Sequence, residues 1–408
     1  MIVEGPPQGL VHGTVMLPAS KSLSNRALII KALCEGDVGI QNLSESDDTL
    51  TLVRALESVG NATEINAGHT GTAMRFMASY LATRPGTWYL TGSERMKQRP
   101  IAPLVSALEQ LGAEISYLET MGFPPFQIKG KKLKGGKIKV QAGISSQFIS
   151  SLLLIAPILD HGLEITLEGK AVSTSYIKMT LGLMEKFGIE ARWERNVISI
   201  PPEKYQSANI AIEPDWSGAS YFYEMLLLCQ EGELFFPGLR KNSLQGDEIV
   251  WQWFEHLGIK TQFTETGALV KKTGISPEFV SLDFSENPDL AQTMALALAG
   301  SGIQGVFRGL ETLPYKETDR VIALQNELDK IGFSLAPGQD EVWNLRKTGW
   351  PHFPGRITFN SYNDHRMALA CAPLALKLGQ IAISDPEVVT KSFPGYWNNL
   401  LELGFELA

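Results

Sequence analysis

"FEHLGIKTQF" (254–263) marks the seam between a helix and a strand, and it is not alone. The pattern is apolar, acid, any residue, apolar, Gly, at the end of a helix-like stretch. It recurs as "LESVG" ending at Gly60, "LEQLG" at Gly112, "MEKFG" at Gly188, "FEHLG" at Gly258 and "LDKIG" at Gly332. "LLELG" at Gly404 shifts its acid by one place. Each glycine fits the position just past a helix, where a positive φ is cheapest. The residues after five of these glycines are strand-like: "AEISYL", "IEARW", "IKTQF", "FSLA" and "FEL". The glycines are 52, 76, 70, 74 and 72 residues apart. A unit of about 70 residues is longer than ordinary solenoid repeats and holds several strands and two helices. The second helix of the units shows as "SSQFISSLLLIAPIL" (145–159), "DWSGASYFYEMLLL" (215–228), "NPDLAQTMALALAG" (287–300) and "DHRMALACAPLALKL" (364–378). Each opens on polar or capping residues and continues apolar. Six mixed strand-and-helix units imply α/β architecture.

Composition narrows the classes. With 408 residues the chain has room for two or more domains, each with its own core. No apolar run approaches a bilayer span, and "MIVEGPPQGLVHGTV" does not read as a signal peptide. Cys34, Cys229 and Cys371 lie far apart, which argues for a reducing compartment and against a disulfide framework or a Cys-based zinc site. The six histidines lack ligand spacing, so no metal site is expected. A net charge of −8 does not suit a general nucleic-acid binder. The one basic run, "KGKKLKGGKIKV" (129–140), reads as a hairpin with solvated lysines.

Chemistry collects in seven polar clusters. "PASKSLSNR" (18–26) supplies Lys21, Ser22 and Arg26, and "HTGTAMRF" (69–76) a Gly-Thr helix start with Arg75. "ERMKQRP" (94–100) has Arg95, Lys97 and Arg99, and "SSQF" (145–148) two hydroxyls and an amide. "KETDR" (316–320) reads as an i,i+4 pair of Lys316 and Arg320. "YNDHRMA" (362–368) puts His365 and Arg366 at a helix start, and "TKSFPGYW" (390–397) supplies Lys391. Taken singly these are caps or surface pairs. Together they oppose the helix dipole unless an anion compensates, and they suggest positive potential focused in one cleft. "SKS" lacks the glycines of a P-loop, which argues against a nucleotide kinase.

Through "LPASKSLSNRALI", "GTAMRF", "LTGSERMKQRPI", "SSQF", "STSYIKMTLGLM", "PDWSGASYF", "LPYKETDR", "YNDHRMA" and "TKSFPGYW", in the family's order, the chain resembles the EPSP synthase (3-phosphoshikimate 1-carboxyvinyltransferase) family. The resemblance implies a two-lobed inside-out α/β barrel of six βαβαββ units, three per lobe. The lobes would be 14–214, and 1–13 with 215–408, with the active site in the interlobe cleft. It also implies transfer of the enolpyruvyl group of phosphoenolpyruvate to the 5-hydroxyl of shikimate 3-phosphate. No cofactor or metal is implied, and the partners are the two small-molecule substrates, not nucleic acid or membrane. The expected setting is a cytoplasmic monomer. By motif, Ser22, Arg26, Ser145, Ser146, Gln147, Ser173, Tyr176, Asp289 and Lys316 would hold shikimate 3-phosphate. Lys21, Gly71, Thr72, Arg99, Gln147, Arg320, His365, Arg366 and Lys391 would hold phosphoenolpyruvate. Glu317 is expected as the acid at the methylene carbon and Asp289 as the base at the hydroxyl, with Lys21 stabilising charge.

The sequence departs from the family pattern in places. His69 and Thr70 stand where Asn and Ala are usual, Trp216 and Gly218 replace small or hydroxyl residues, and Thr312 stands where an Asn contacts substrate. The first unit is about 20 residues short, as the 52-residue spacing shows, so a trimmed edge hairpin is expected. Two alternatives share the fold: a UDP-N-acetylglucosamine enolpyruvyl transferase and a catalytically inactive anion-binding homologue. The first commonly uses a loop cysteine, and the three cysteines here sit in apolar helical stretches. The second would have no need of an acid–base pair.

Overall fold

A computed structural model describes residues 1–408 except 142, 144, 170, 171, 275 and 350–355. All six repeat glycines have φ between 74° and 96°, so each does end its helix in the left-handed region. The strands after five of them run Glu114–Tyr117, Arg192–Glu194, Ile259–Phe263, Phe333–Pro337 and Glu406–Leu407.

The described strands form five four-stranded sheets and one two-stranded sheet. A complete unit is Glu64–Asn66, helix Gly71–Ala82, Gly86–Thr91, helix Ala102–Gln110, Glu114–Tyr117 and Phe126–Gly130. Its first two strands pair in parallel, and the last strand joins the second antiparallel. This is the βαβαββ order. Two units borrow a strand from far away in sequence: Leu10–Thr14 pairs in parallel with Glu231–Pro237, and Ile2–Glu4 pairs with both Ile381–Ile383 and Glu406–Leu407. The short first unit keeps only Gly39–Gln41 in parallel with Asn209–Ala211. After its helix Asp47–Ser58 the chain makes a single Val59–Ala62 bridge and enters the next unit, so both antiparallel strands are missing.

The chain divides into two compact units, Ala19–Ile212 and Met1–Pro18 with Glu213–Ala408. In the first, the helices Lys21–Leu33, Gly71–Ala82 and Ser146–Ile155 pack on one another. In the second, Trp216–Leu228, Ala291–Gly300 and His365–Cys371 do the same. Apart from Lys21–Leu33, which leaves Lys31 exposed, these helices are buried nearly all round; of Gly71–Ala82 only Thr72 is not fully covered. Such helices belong inside, with the sheets around them. Among the described residues no helix is long and apolar enough to cross a membrane.

Two local readings are corrected. "KGKKLKGGKIKV" is no hairpin: Phe126–Gly130 and Gly136–Gln141 lie in different sheets, and the run links two units. Its lysines pair across the surface with Glu114, Asp160, Glu164 and Glu168. "KETDR" is no helical i,i+4 pair either. The helix begins at Arg320, and Asp319 caps it by accepting from Val321 N and Ile322 N at 3.1 Å each. A cap needs extended backbone, so Lys316 and Glu317 stay outside the helix and are free of its geometry.

Candidate active site

The central helices begin differently in the two units. In the unit Glu213–Ala408, carboxylates stand at the helix starts. Asp215 caps Trp216–Leu228 through Gly218 N, and Asp364 caps His365–Cys371 through Arg366 N at 2.9 Å. Asp289 sits in the short turn Pro288–Leu290 ahead of Ala291–Gly300. In the unit Ala19–Ile212, the three helices start at Lys21, Gly71 and Ser146 with no acid in the first turn. Their own first turns carry no anion, and the carboxylate near them, Asp48, is held by Lys21 and by Thr70 ahead of Gly71, so positive potential remains for an anion from outside.

In that unit, Arg26 is 3% exposed, and its guanidinium donates to Thr180 Oγ1 at 2.7 Å, Ser22 O at 2.9 Å, Ser150 Oγ at 3.1 Å and Tyr176 O at 3.3 Å. Among the described residues no carboxylate pairs with it. Burial lowers its pKa to about 10, so it remains charged at neutral pH. Lys21 is paired with Asp48 at 3.1 Å, and Asp48 also accepts from Thr70 Oγ1 at 3.0 Å. A Cβ on Gly71 would lie 2.6 Å from Arg75 Nη1 and 2.9 Å from Arg99 Nη1. Two guanidinium groups therefore converge on bare backbone at a helix N-terminus, and a side chain there would push them aside. Thr72 follows in the same turn. Ser145 caps Ser146–Ile155, accepting from Gln147 N at 3.4 Å. Ser173 is buried with φ 54° at the start of Thr174–Glu185, and Tyr176 is half-buried one turn on. Arg95 is exposed, and Lys97 pairs with Glu94 and Glu119, so of the three cations in "ERMKQRP" only Arg99 is buried.

In the other unit, seven predicted residues form one network. Arg320 donates through Nε to Asp364 Oδ2 at 2.7 Å, through Nη1 to Asp289 Oδ1 at 2.9 Å and through Nη2 to Glu317 Oε2 at 2.9 Å. Arg366 Nη2 reaches Asp289 Oδ2 at 3.0 Å, and Lys316 Nζ reaches Asp289 Oδ1 at 3.3 Å. Lys391 Nζ reaches Glu317 Oε1 at 3.0 Å. His365 is buried, with Nδ1 3.6 Å from Asp364 Oδ1. Burial alone would raise the pKa of Asp289, but Arg366, Lys316 and Arg320 overcome it and hold the carboxyl well below its usual range. Burial works against the charge of Arg320, and Asp364, Glu317 and Asp289 more than offset it. Nearby Asp247, held by Ser217 Oγ and Asn287 Nδ2, has its pKa raised by burial first and by Asp289 second. Sequence reasoning missed Asp48 and Asp247 as members of these clusters, and it read the "NDHR" acid only as a cap. The acidic "ESDDTL" (45–50) was the one visible sign of Asp48.

A site with guanidinium and ammonium groups beside two carboxylates can hold a polyanion and move protons at neighbouring atoms. The comparisons agree with that chemistry. The family model "EPSP synthase (3-phosphoshikimate 1-carboxyvinyltransferase)" matches residues 6–70 and 58–400. A 3-phosphoshikimate 1-carboxyvinyltransferase of Bacteroides fragilis (strain YCH46) is 43% identical over 407 residues, covering 99% of this chain and 98% of its own. One of Sulfurovum sp. (strain NBC37-1) is 36% identical over 422 residues, covering 97% of each. Among solved structures, an EPSP synthase from Acinetobacter baumannii aligns with TM-score 0.79 at 22% identity, over 100% of this chain and 99% of that one. The enolpyruvyl transferase NikO from Streptomyces tendae aligns with TM-score 0.74 at 14% identity, over 99% and 97%. Both share the fold.

Proposed function

We propose a function from one premise: the chain belongs to the EPSP synthase (3-phosphoshikimate 1-carboxyvinyltransferase) family. It is an enzyme that transfers the enolpyruvyl group of phosphoenolpyruvate to the 5-hydroxyl of shikimate 3-phosphate, releasing phosphate. The observation that carries the residue assignment is the network of Asp289, Arg320, Arg366, Lys316, Glu317 and Lys391.

Phosphoenolpyruvate bears a carboxylate and a phosphate, and planar guanidinium groups match both bidentately. The reading gives it Lys21, Gly71, Thr72, Arg99, Gln147, Arg320, His365, Arg366 and Lys391. Shikimate 3-phosphate takes Ser22, Arg26, Ser145, Ser146, Gln147, Ser173, Tyr176, Asp289 and Lys316. The reaction adds the 5-hydroxyl oxygen to C2 while C3 gains a proton, giving a tetrahedral phospho-ketal. Elimination then breaks the C2–O bond to phosphate and returns the C3 proton. Glu317 delivers the C3 proton, and Asp289 accepts the hydroxyl proton as the new C–O bond forms. Asp289 is ionised, as a base must be. Its low pKa means that proton transfer accompanies bond formation and does not precede it. Lys21 stabilises developing charge. The protein acts as a monomer in the cytoplasm, on small molecules only.

The test is phosphate release by the purified full chain with phosphoenolpyruvate, with and without shikimate 3-phosphate. UDP-N-acetylglucosamine serves as the control acceptor. Release only with shikimate 3-phosphate is the expected result; no release with either acceptor would overturn the reading.

A further inference from the structure

Helix Arg320–Asp329 grips one loop at two points. Arg320 and Glu327 are seven residues apart on it, two turns, and so share a face. At the first point Arg320 holds Asp364 through Nε at 2.7 Å and Nη2 at 3.3 Å. At the second, Glu327 accepts from Tyr362 Oη at 2.6 Å and from Asn360 N at 3.1 Å. Glu327 is fully buried, and Lys330, at 2.6 Å from its carboxylate, supplies the countercharge. Lys330 also donates to Thr358 O at 2.8 Å.

Between the two grips the backbone is strained. Tyr362 has φ 55° and Asn363 φ 54°, consecutive non-glycine residues in the left-handed region. A side chain in this region crowds its own backbone, so each persists only when surrounding contacts over-determine it. Contacts on both sides of the turn hold it in this conformation. On one side Ser361 N donates to Ser384 Oγ at 3.0 Å, Ser361 Oγ to Asp385 Oδ2 at 3.4 Å, Asn363 N to Ser361 Oγ at 3.3 Å and Asp364 N to Ser361 O at 2.9 Å; on the other, the Glu327 clamp ties Asn360 and Tyr362 to the helix. The next residue, Asp364, aims Arg320 and caps the helix that carries Arg366.

We propose that Glu327 and Tyr362 are positioning residues for the phosphoenolpyruvate-binding arginines, acting by pinning the strained Asn360–Asp364 turn to the helix Arg320–Asp329. Neither belongs to the substrate-holding set; both act through Asp364. The inference rests on the proposed role of Arg320 and Arg366 in holding phosphoenolpyruvate. Releasing the clamp lets the turn relax, moves Asp364 and spoils the aim of both guanidinium groups.

The experiment compares Tyr362→Phe, Glu327→Gln and the double variant with the wild type. It measures KM for each substrate by phosphate release, thermal midpoint, and amide hydrogen exchange over 358–368. Tyr362→Phe is expected to raise KM for phosphoenolpyruvate at least about fivefold while KM for shikimate 3-phosphate stays within about twofold. Exchange over 360–364 should quicken, and the double variant should be no worse than the worse single, because the two groups act as one unit. If Tyr362→Phe loses its fold, Glu327→Gln, which keeps the shape and removes the charge, carries the same expectations. Wild-type KM for phosphoenolpyruvate with unchanged exchange in a folded variant overturns the proposal. So does an equal rise in both KM values with a lowered midpoint. If the wild type itself releases no phosphate, the functional reading fails, while the exchange measurement still decides whether the clamp exists.

Discussion

Glu317 lies between two cations, with one oxygen on Arg320 and the other on Lys391. If it is the acid at the methylene carbon, Glu317→Gln should lower kcat by at least about a hundredfold, the usual share of a positioned acid. KM for both substrates should hold; near-normal turnover would remove it from that role. Gly71→Ala inserts a methyl where the Arg75 and Arg99 heads meet. Guanidinium ends can shift a few tenths of an ångström, so the fold should survive. KM for phosphoenolpyruvate should nevertheless rise at least about fivefold, roughly 1 kcal/mol. Glu224 is a different case. It lies fully buried inside Trp216–Leu228, neither of its oxygens has a hydrogen-bond partner among the described residues, and burial raises its pKa well above the usual value. The folded protein therefore keeps its proton where the unfolded chain has lost it. Below an unfolded pKa of about 4.3 the group is neutral in both states and adds no pH dependence to stability. Above it, stability falls by about 1.4 kcal/mol per pH unit until the folded pKa is reached. Glu224→Gln should therefore gain on the wild type as pH rises from 4.5 to 7.5 in denaturant unfolding; a constant difference would show that the carboxyl is not held neutral.

At the scale of elements, what was legible was the helix ends. The six glycines could be read because a left-handed residue has few chemical solutions, and all six have positive φ. "KETDR" was misread because charge spacing alone cannot tell a helix interior from the cap before it. Asp319 decides, and a side chain that can accept backbone N–H bonds prefers to stand outside the helix. Asp319→Ala should cost about 1 kcal/mol of stability, seen as a lower urea midpoint at unchanged m. The hairpin reading of 129–140 failed because strand pairing is a non-local choice. Gly136–Gln141 found its partner in Leu163–Glu168, with crossover helix Ser146–Ile155 between them. A Gly-Gly turn between alternating residues carries no information about that competition.

For the whole molecule, six copies of one topology account for the layout, and the exception is the first. In complete units the second strand has neighbours on both edges, as Gly86–Thr91 does. Among the described residues Gly39–Gln41 pairs only with Asn209–Ala211. Its outward amides should therefore exchange with solvent at least about tenfold faster than those of Tyr89 and Leu90 in native-state hydrogen exchange, because a one-sided strand opens locally at lower cost. Equal protection would mean that something else covers that edge. The shortening was visible in the 52-residue spacing. Which strands it removed was not, since length does not say which pairings survive.

By itself the sequence determined what local chemistry dictates: α/β class, six repeats, helix stops at glycine, capped and cationic helix starts, and the motifs that carry the family resemblance. These arise from φ preferences, capping and periodicity, which act over a few residues. Only the tertiary structure decided which of those groups meet. Asp289, Arg320, Arg366 and Lys316 come from segments up to 77 residues apart, and Arg26 draws its partners from Ser22 to Thr180. It also decided that Asp364 is an ion-pair partner as well as a cap, and that Glu327 reaches across to Tyr362. A buried charge must find its partner wherever the packed fold brings one, and that is a property of the folded chain in three dimensions.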